Sequence, residues 1–228
     1  MLIFIFIPIV YAFYISLYDW NALGTKTFVG IANYLRMIKD STFKNSLVVT
    51  GKYAVIYVLA VYVLSLAAAV FVNSIKGNKR QQMCRIAIYL PNTVSTIVAA
   101  TLWTFLFNSR NGYINKILEE LGIGRQLFLG SRTQALVCVA IVGIWIVFGY
   151  NMIIFLSALK DVPSEYYEAA KIDGANAVQR FFRITLPSIK GTTIFVLITS
   201  LVASFQAFDQ VRVMTSGGPG KTTQVTVY

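Results

Sequence analysis

The chain has 228 residues, of which 57% are hydrophobic and only 13% are charged. A soluble domain carries about 25% charged residues, so this composition excludes a disordered chain, a coiled coil and an ordinary soluble enzyme. The formal net charge is +11. The basic residues stand in short stretches between long apolar runs, which indicates a membrane protein rather than a nucleic-acid-binding one. There is no His, and the two cysteines, Cys84 and Cys138, indicate neither a disulfide framework nor a metal site.

Charge-free runs predict five transmembrane helices, because each run is near or above the roughly 18–20 residues that cross the hydrocarbon core. The runs are continuously apolar, which argues against membrane strands. We therefore expect an all-α polytopic helix bundle in the inner cell membrane. The first run could instead be a secretory signal, but it has no basic leader, and its aromatic end suits the headgroup interface. The runs are 1–18, 53–75, 86–109, 133–159 and 191–208.

The distribution of Lys and Arg predicts which loops face the cytoplasm. The stretch 76–85 has four basic residues and no acid, and the loop 160–190 has five basic residues with four acids. Cytoplasmic loops carry an excess of basic residues, so we expect these two loops inside. With alternating spans, the N-terminus is then inside and the C-terminal tail outside.

The loop 160–190 has the most informative local pattern. Pro163 begins a predicted helix, and Gly174 suits the positive φ that ends one. Residues 175–183 can start a second short helix, and Pro187 is expected to turn the chain toward the next span. The pattern predicts a helix–turn–helix lying on the inner side of the membrane. It would act either as a docking helix for a partner or as an amphipathic linker on the headgroups.

The same loop resembles the EAA motif of the permease subunits of ABC importers. Its order of Glu-Ala-Ala, three residues, Gly, nine residues and Ile-x-Leu-Pro matches that motif at every fixed position. The stretches 17–21, 28–34 and 215–219 resemble the carbohydrate-uptake branch of those permeases. The resemblance assigns contact with a cytoplasmic ATPase, or orientation of the loop, to Glu168, Ala169, Ala170, Gly174, Ile184, Leu186 and Pro187.

The resemblance implies that the chain is a permease subunit rather than an enzyme, with no cofactor of its own. The implied partners are two cytoplasmic ATP-binding subunits, a second permease, an extracytoplasmic solute-binding protein and membrane lipid, without nucleic acid. No Gly-x-x-x-x-Gly-Lys-Ser/Thr phosphate loop occurs in the sequence, so ATP hydrolysis is expected of a partner. The chain is expected to form a single transmembrane permease domain, 1–228, truncated from a core of six spans.

Uncharged polar residues within the spans are candidates for a substrate path. Such residues are costly in a membrane and tend to face a cavity or a neighbouring helix, and amides and hydroxyls suit a sugar. Alternatively, they bridge helices inside the bundle. We expect Asn92, Ser95 and Thr96 to share one face of the third span. The candidates for the path are Asn92, Asn151, Thr199, Ser204 and Gln206.

Three other classes of function compete with a sugar permease. An intramembrane enzyme needs a catalytic group at membrane depth, but the spans contain no His, Asp or Glu. An ion channel or self-contained secondary carrier usually places charges in its pathway, and this chain does not. The third alternative keeps the ABC class and changes the solute to glycerol phosphate, phosphate, a polyamine or an amino acid.

Overall fold

The computed structural model of the chain describes residues 2–21 and 24–228. Met1, at which both the expected domain and the first predicted span begin, lies outside the described residues. The part of the chain up to Leu47 forms one compact unit, and Val48–Tyr228 form a second.

The first unit combines an apolar helix with a small hairpin. Strands β1 (Tyr18–Trp20) and β2 (Lys26–Phe28) pair antiparallel, with Tyr18 opposite Phe28. The ammonium nitrogen of Lys26 lies 4.2 Å from the centroid of the Tyr14 ring and 4.3 Å from that of Tyr18. Each such contact stabilises the hairpin by about 0.5–1 kcal/mol where it is exposed. The sequence does not predict this hairpin. The elements are α1 (Leu2–Ser16), β1 (Tyr18–Trp20), β2 (Lys26–Phe28), α2 (Ala32–Lys39) and the start of α3 (Ser41–Ser74).

The second unit is helical, with short 3-10 and π segments between α-helices. The 3-10 segments are Leu90–Thr93 and Phe128–Gly130, and the π-helix is Phe181–Thr185. The helices after α3 are α4 (Asn78–Tyr89), α5 (Thr96–Leu106), α6 (Tyr113–Glu120), α7 (Ala135–Lys160), α8 (Ser164–Ile172), α9 (Ala177–Arg180), α10 (Leu186–Ser188), α11 (Lys190–Ser204) and α12 (Phe208–Met214).

The helical membrane fold predicted from the sequence is confirmed, although not every span is straight. Two helices, α3 and α7, are long and apolar enough to cross a membrane unbroken. Two further helix pairs are apolar enough only when taken together, and each is bent, by 96° between Asn78–Thr93 and Thr96–Leu106 and by 70° between Ala177–Ser188 and Lys190–Ser204. The described residues therefore contain two candidate spans, or four if each bent pair is one span. The first predicted run forms a shorter apolar helix, Ile3–Ser16.

The third predicted span is broken where the chain passes through a 3-10 turn. Pro91 lies in that turn and has no backbone N–H to continue an α-helix. Ser95 follows with an extended backbone at φ −58° and ψ 137°, and a new helix begins at Thr96. The prediction that Asn92, Ser95 and Thr96 share one face of a continuous helix is therefore wrong.

Helix α7 forms the centre of the second unit, because small residues let its neighbours approach its backbone. A Cβ atom added at Gly149 would overlap the carbonyl oxygen of Ile88 on α4. The hydroxyl of Ser65 on α3 donates to the carbonyl oxygen of Phe148 at 2.9 Å. Close packing of this kind, with few polar bridges, is how helices associate inside a membrane.

A buried apolar cluster at one end of α3 and α7 supports the segment that follows α7. Its core includes Leu66 and Val72 of α3, Phe155 of α7, and Ile189, which is 2% exposed. The half-buried side chains of Val162, Phe181 and Leu186 pack against this cluster. The segment 161–189 is thus attached to two spans through apolar contacts.

Candidate functional site

Helix α8 is closed at its C-terminal end by a glycine in the left-handed conformation. Gly174 has φ +76°, as predicted from the sequence. The N–H of Ala175 donates to the carbonyl of Ala170 at 2.8 Å, and the N–H of Gly174 donates to the carbonyl of Lys171 at 3.1 Å. These two bonds form a Schellman motif, which satisfies carbonyl groups that the helix end would leave unpaired. The direction in which the chain leaves α8 therefore depends on Gly174.

The second short helix begins with a capping box. The side-chain oxygen of Asn176 accepts from the N–H of Gln179, and the side chain of Gln179 accepts from the N–H of Asn176, both at 2.9 Å. Such a reciprocal pair satisfies two donors at a helix start. The chain then passes through the π-helix into α10. Pro187 lies within α10 and the 70° bend follows at Ile189, so Pro187 is not itself the turn that the sequence predicts.

One hydrogen bond joins α8 to the π-helical segment. The hydroxyl of Tyr167 lies 2.9 Å from the hydroxyl of Thr185, whose side chain is buried. A π-helical turn inside an α-helix is uncommon and occurs frequently at functional sites. The bond, together with the Gly174 turn, holds α8 in a defined orientation against the end of the bundle.

The outer surface of α8 combines small side chains, a carboxylate and apolar groups. Glu168 and Ala169 are exposed, while Ala170 is half-buried. Glu168 makes no ion pair with another described residue. Tyr166 is 57% exposed, and Ile172 at the end of the helix is 87% exposed. The outer surface of α8 is therefore open to contact with another molecule.

The structure places all the candidate coupling residues on the segment between α7 and α11. Glu168, Ala169 and Ala170 lie on α8, and the turn residue Gly174 is exposed. The other three, Ile184, Leu186 and Pro187, lie in the π-helix and in α10 and differ in how deeply they are buried. Ile184 and Leu186 are half-buried, and Pro187 is exposed.

Four of the five candidate path residues donate hydrogen bonds to backbone carbonyls. The amide of Asn92 donates to Ile146 of α7 at 3.3 Å, which is typical of a residue that joins elements of a helix bundle. The other three donate within their own helices: Asn151 to Val147 at 3.2 Å, Thr199 to Phe195 at 2.8 Å and Ser204 to Leu201 at 2.6 Å. Thr199 is exposed on α11. Gln206 is also exposed, but it lies beyond the end of α11 at Ser204, although the sequence places it within the predicted span 191–208.

Sequence reasoning missed a polar group buried between α3 and α7. Tyr53 is fully buried, and its hydroxyl has no hydrogen-bond partner among the described residues. A Cβ atom at Gly143 would lie 2.8 Å from this hydroxyl and 3.4 Å from the amide nitrogen of Gln210. A buried hydroxyl without a hydrogen-bond partner costs free energy and is rare in folded proteins. Tyr53 begins a long apolar run, so no local pattern distinguishes it.

Tyr167→Phe is expected to lower solute uptake several-fold with little change in the amount of protein in the membrane. The substitution keeps the ring and removes only the hydroxyl that bonds Thr185, a bond that contributes about 0.5–1.5 kcal/mol. Uptake by whole cells, normalised to membrane protein, is the measurement. Tyr113→Phe is the matched control, because that ring lies on α6 and is 65% exposed. An equal loss in both variants would show that the bond to Thr185 is not the cause.

Comparison with known proteins identifies the family. Residues 62–227 match the family described as "Binding-protein-dependent transport system inner membrane component". The chain belongs to this family. It is a membrane-embedded, multi-pass permease component of an ABC transport system. The family is one of transporters rather than of catalysts.

Relatives and solved structures agree with this membership. The permease is 34% identical over 225 residues to a trehalose/maltose transport system permease of Thermococcus litoralis, covering 98% of this chain and 75% of the relative. It is also 34% identical over 228 residues to an sn-glycerol-3-phosphate transport system permease of Agrobacterium fabrum, covering 99% and 77%. A bacterial ABC transporter involved in alginate import shares the fold, with a TM-score of 0.82 at 21% identity over 98% of this chain and 75% of the other.

Proposed function

We propose that this permease couples ATP hydrolysis in a cytoplasmic partner to the passage of a solute, and that α8 is the helix that meets that partner. The observation that carries the proposal is the outer surface of α8. Exposed Glu168 and Ala169 lie on a helix whose orientation is set by the Gly174 turn and the bond from Tyr167 to Thr185. Small residues allow a partner surface to come close, and an unpaired carboxylate can accept a hydrogen bond from it.

The proposed mechanism is rigid-body movement of α8 together with the spans on which it rests. The half-buried side chains of Phe181 and Leu186 pack on the same apolar cluster as Leu66 of α3 and Phe155 of α7. A displacement of α8 by the partner therefore pulls on both spans, because packed cores shift as units and do not deform continuously. Closure of an ATPase dimer would in this way change which side of the membrane the path opens to.

The proposed working unit has two ATP-binding subunits, a second permease and an extracytoplasmic binding protein, with residues 1–228 serving as one permease domain. The family description itself refers to a binding protein. The alginate transporter has also been solved in complex with a periplasmic protein that holds an alginate pentasaccharide, and this chain matches that structure with a TM-score of 0.83. The lack of a phosphate loop in the sequence supports the assignment of hydrolysis to a partner.

The solute that we propose is a sugar or a related neutral polar molecule. One similar permease serves trehalose and maltose, and another serves sn-glycerol-3-phosphate, so similarity alone does not choose between them. The five apolar runs contain no Lys or Arg that would meet a phosphate at membrane depth. This favours a neutral solute over a phosphate ester. Thr199 and Gln206 are the two path candidates whose side chains are exposed.

Two substitutions on α8 test the docking assignment. Glu168→Ala is expected to reduce co-purification of the ATP-binding subunits several-fold, because it removes the unpaired carboxylate. Ala169→Trp is expected to reduce it further, since a large ring on the exposed face holds the two surfaces apart. The measurement is the amount of ATP-binding subunit recovered with the tagged permease.

Glu165→Ala is the matched control, because Glu165 is an exposed carboxylate in the first turn of the same helix. We expect it to leave co-purification close to that of the wild type. If Glu168→Ala and Ala169→Trp both recover as much ATP-binding subunit as the control, α8 is not the docking helix.

A further inference from the structure

A cavity with cationic and apolar walls lies between the end of α3 and the segment that follows α7. Its volume is about 570 Å³. Its walls come from α3, α7, α8, α9 and the π-helix, so it lies where the two unbroken spans end. Polar side chains in its wall include Asn73, Ser74 and Tyr167, and the cationic ones are Lys171 and Arg180.

The two cations of this cavity, Lys171 and Arg180, have no ion-pair partner in the part of the chain that the structure describes. No acidic side chain is among the described residues that line the cavity. Two positive charges in one recess, with the amide of Asn73 beside them, are complementary to an anionic group such as a phosphate diester.

An apolar groove runs from this cavity along α3. Its volume is about 590 Å³. Val63, Leu66, Val70 and Phe71 form a stripe at helical spacing on α3, and the opposite wall comes from the π-helix and α10. Val70 and Phe181 line both the groove and the cavity, so the two spaces adjoin.

We propose that the cavity and groove together bind one anionic phospholipid, with its phosphate between Lys171 and Arg180 and an acyl chain along α3. The combination of a cationic polar recess with an adjoining apolar groove fits the two ends of such a lipid. Basic pockets between membrane helices on the cytoplasmic side are known to hold anionic lipid headgroups. Two other occupants fit less well. A free anion would occupy the cavity and leave the apolar groove empty, and a protein segment would leave Lys171 and Arg180 without a counter-charge unless it carried an acidic side chain.

The site would link the surrounding membrane to the orientation of α8. Lys171 is on α8 and Arg180 is on α9, while Val70 belongs to α3. A lipid bound to all three would tie the α8 segment to the span at headgroup level. The proposal concerns lipid binding alone, so it can fail or succeed independently of the docking of the ATPase.

Native mass spectrometry of the purified full chain in detergent tests this directly. The probes are phosphatidylglycerol and phosphatidylcholine with identical acyl chains. We expect phosphatidylglycerol to bind at least tenfold more tightly. The double variant Lys171→Gln, Arg180→Gln is expected to lose that preference, and Lys171→Gln alone, at an exposed side chain, is expected to lose part of it. Val70→Trp is expected to weaken both lipids, because it fills the junction of cavity and groove.

The matched control is Lys79→Gln, Arg80→Gln, which removes two exposed cations of α4 that do not line the cavity. It should keep the preference of the wild type. Equal binding of the two lipids to the wild type would overturn the proposal, and so would an equal loss in the control pair. Competition by inorganic phosphate at concentrations comparable to those of the lipid would show a free-anion site instead and would also overturn it.

Discussion

Gly149→Ala is expected to disrupt the second unit and to lower solute uptake more than tenfold. The added Cβ atom would overlap the carbonyl oxygen of Ile88 and would lie 3.0 Å from the Cα atom of Tyr89. These are backbone atoms, which cannot turn aside as a side chain would, so α4 must move away from α7. Overpacking of this kind typically costs about 1–3 kcal/mol and occasionally more. Thermal unfolding in detergent and uptake in cells are the measurements.

Gly51→Ala is the matched control for this prediction. Gly51 lies inside helix α3, and a Cβ atom there would meet nothing within 4 Å. Alanine is the better helix former by about 1 kcal/mol, so the control should be neutral or slightly stabilising. An unfolding midpoint for Gly149→Ala that equals that of Gly51→Ala would show that α4 and α7 are not in close backbone contact.

Gly174→Val is expected to lower uptake about tenfold while the protein remains folded in the membrane. A Cβ atom at Gly174 meets nothing within 4 Å, so the effect comes from the backbone alone. At φ +76° the left-handed conformation costs an L-residue roughly 1–2 kcal/mol of conformational free energy, and it is least favourable for a β-branched residue. The valine would leave this conformation and misdirect the chain between α8 and α9. Uptake and ATPase co-purification should fall together.

Gly191→Val provides the comparison, because Gly191 also has open space around its Cβ position but no positive φ. We expect its uptake to remain within about twofold of the wild type, since valine is a better helix former than glycine by a few tenths of a kcal/mol. If both variants transport equally well, the left-handed turn at Gly174 does not determine the orientation of α8.

The sequence predicts features that depend on local chemistry. The apolar runs predict the membrane helices because burial in lipid needs about 20 apolar residues whatever the neighbours are. Gly174 predicts the left-handed turn because only glycine adopts that conformation without strain. The short helix before it follows from Pro163 in the same local way.

Features that depend on tertiary packing could not be predicted in this way. The run 86–109 is apolar and charge-free throughout, yet the chain bends by 96° within it at the 3-10 turn that contains Pro91. The apolar composition of the run does not indicate such a turn. In the sequence, Gly149 cannot be distinguished from any other glycine in an apolar run, and only the fold shows that it packs against the backbone of Ile88. Asn92 and Asn151 could have faced a path or a backbone carbonyl, and only the fold shows that their amides bond to α7.

The central claim, that α8 meets an ATP-binding subunit in the cytoplasm, is tested most directly by cross-linking in cells that produce the whole transport system. A photoreactive amino acid is placed at Ala169 on α8 or at Glu120, which is exposed at the end of α6. Our account predicts a cross-link to the ATP-binding subunit from position 169 and none from position 120. A cross-link to that subunit from position 120, or to the extracytoplasmic binding protein from position 169, would contradict it.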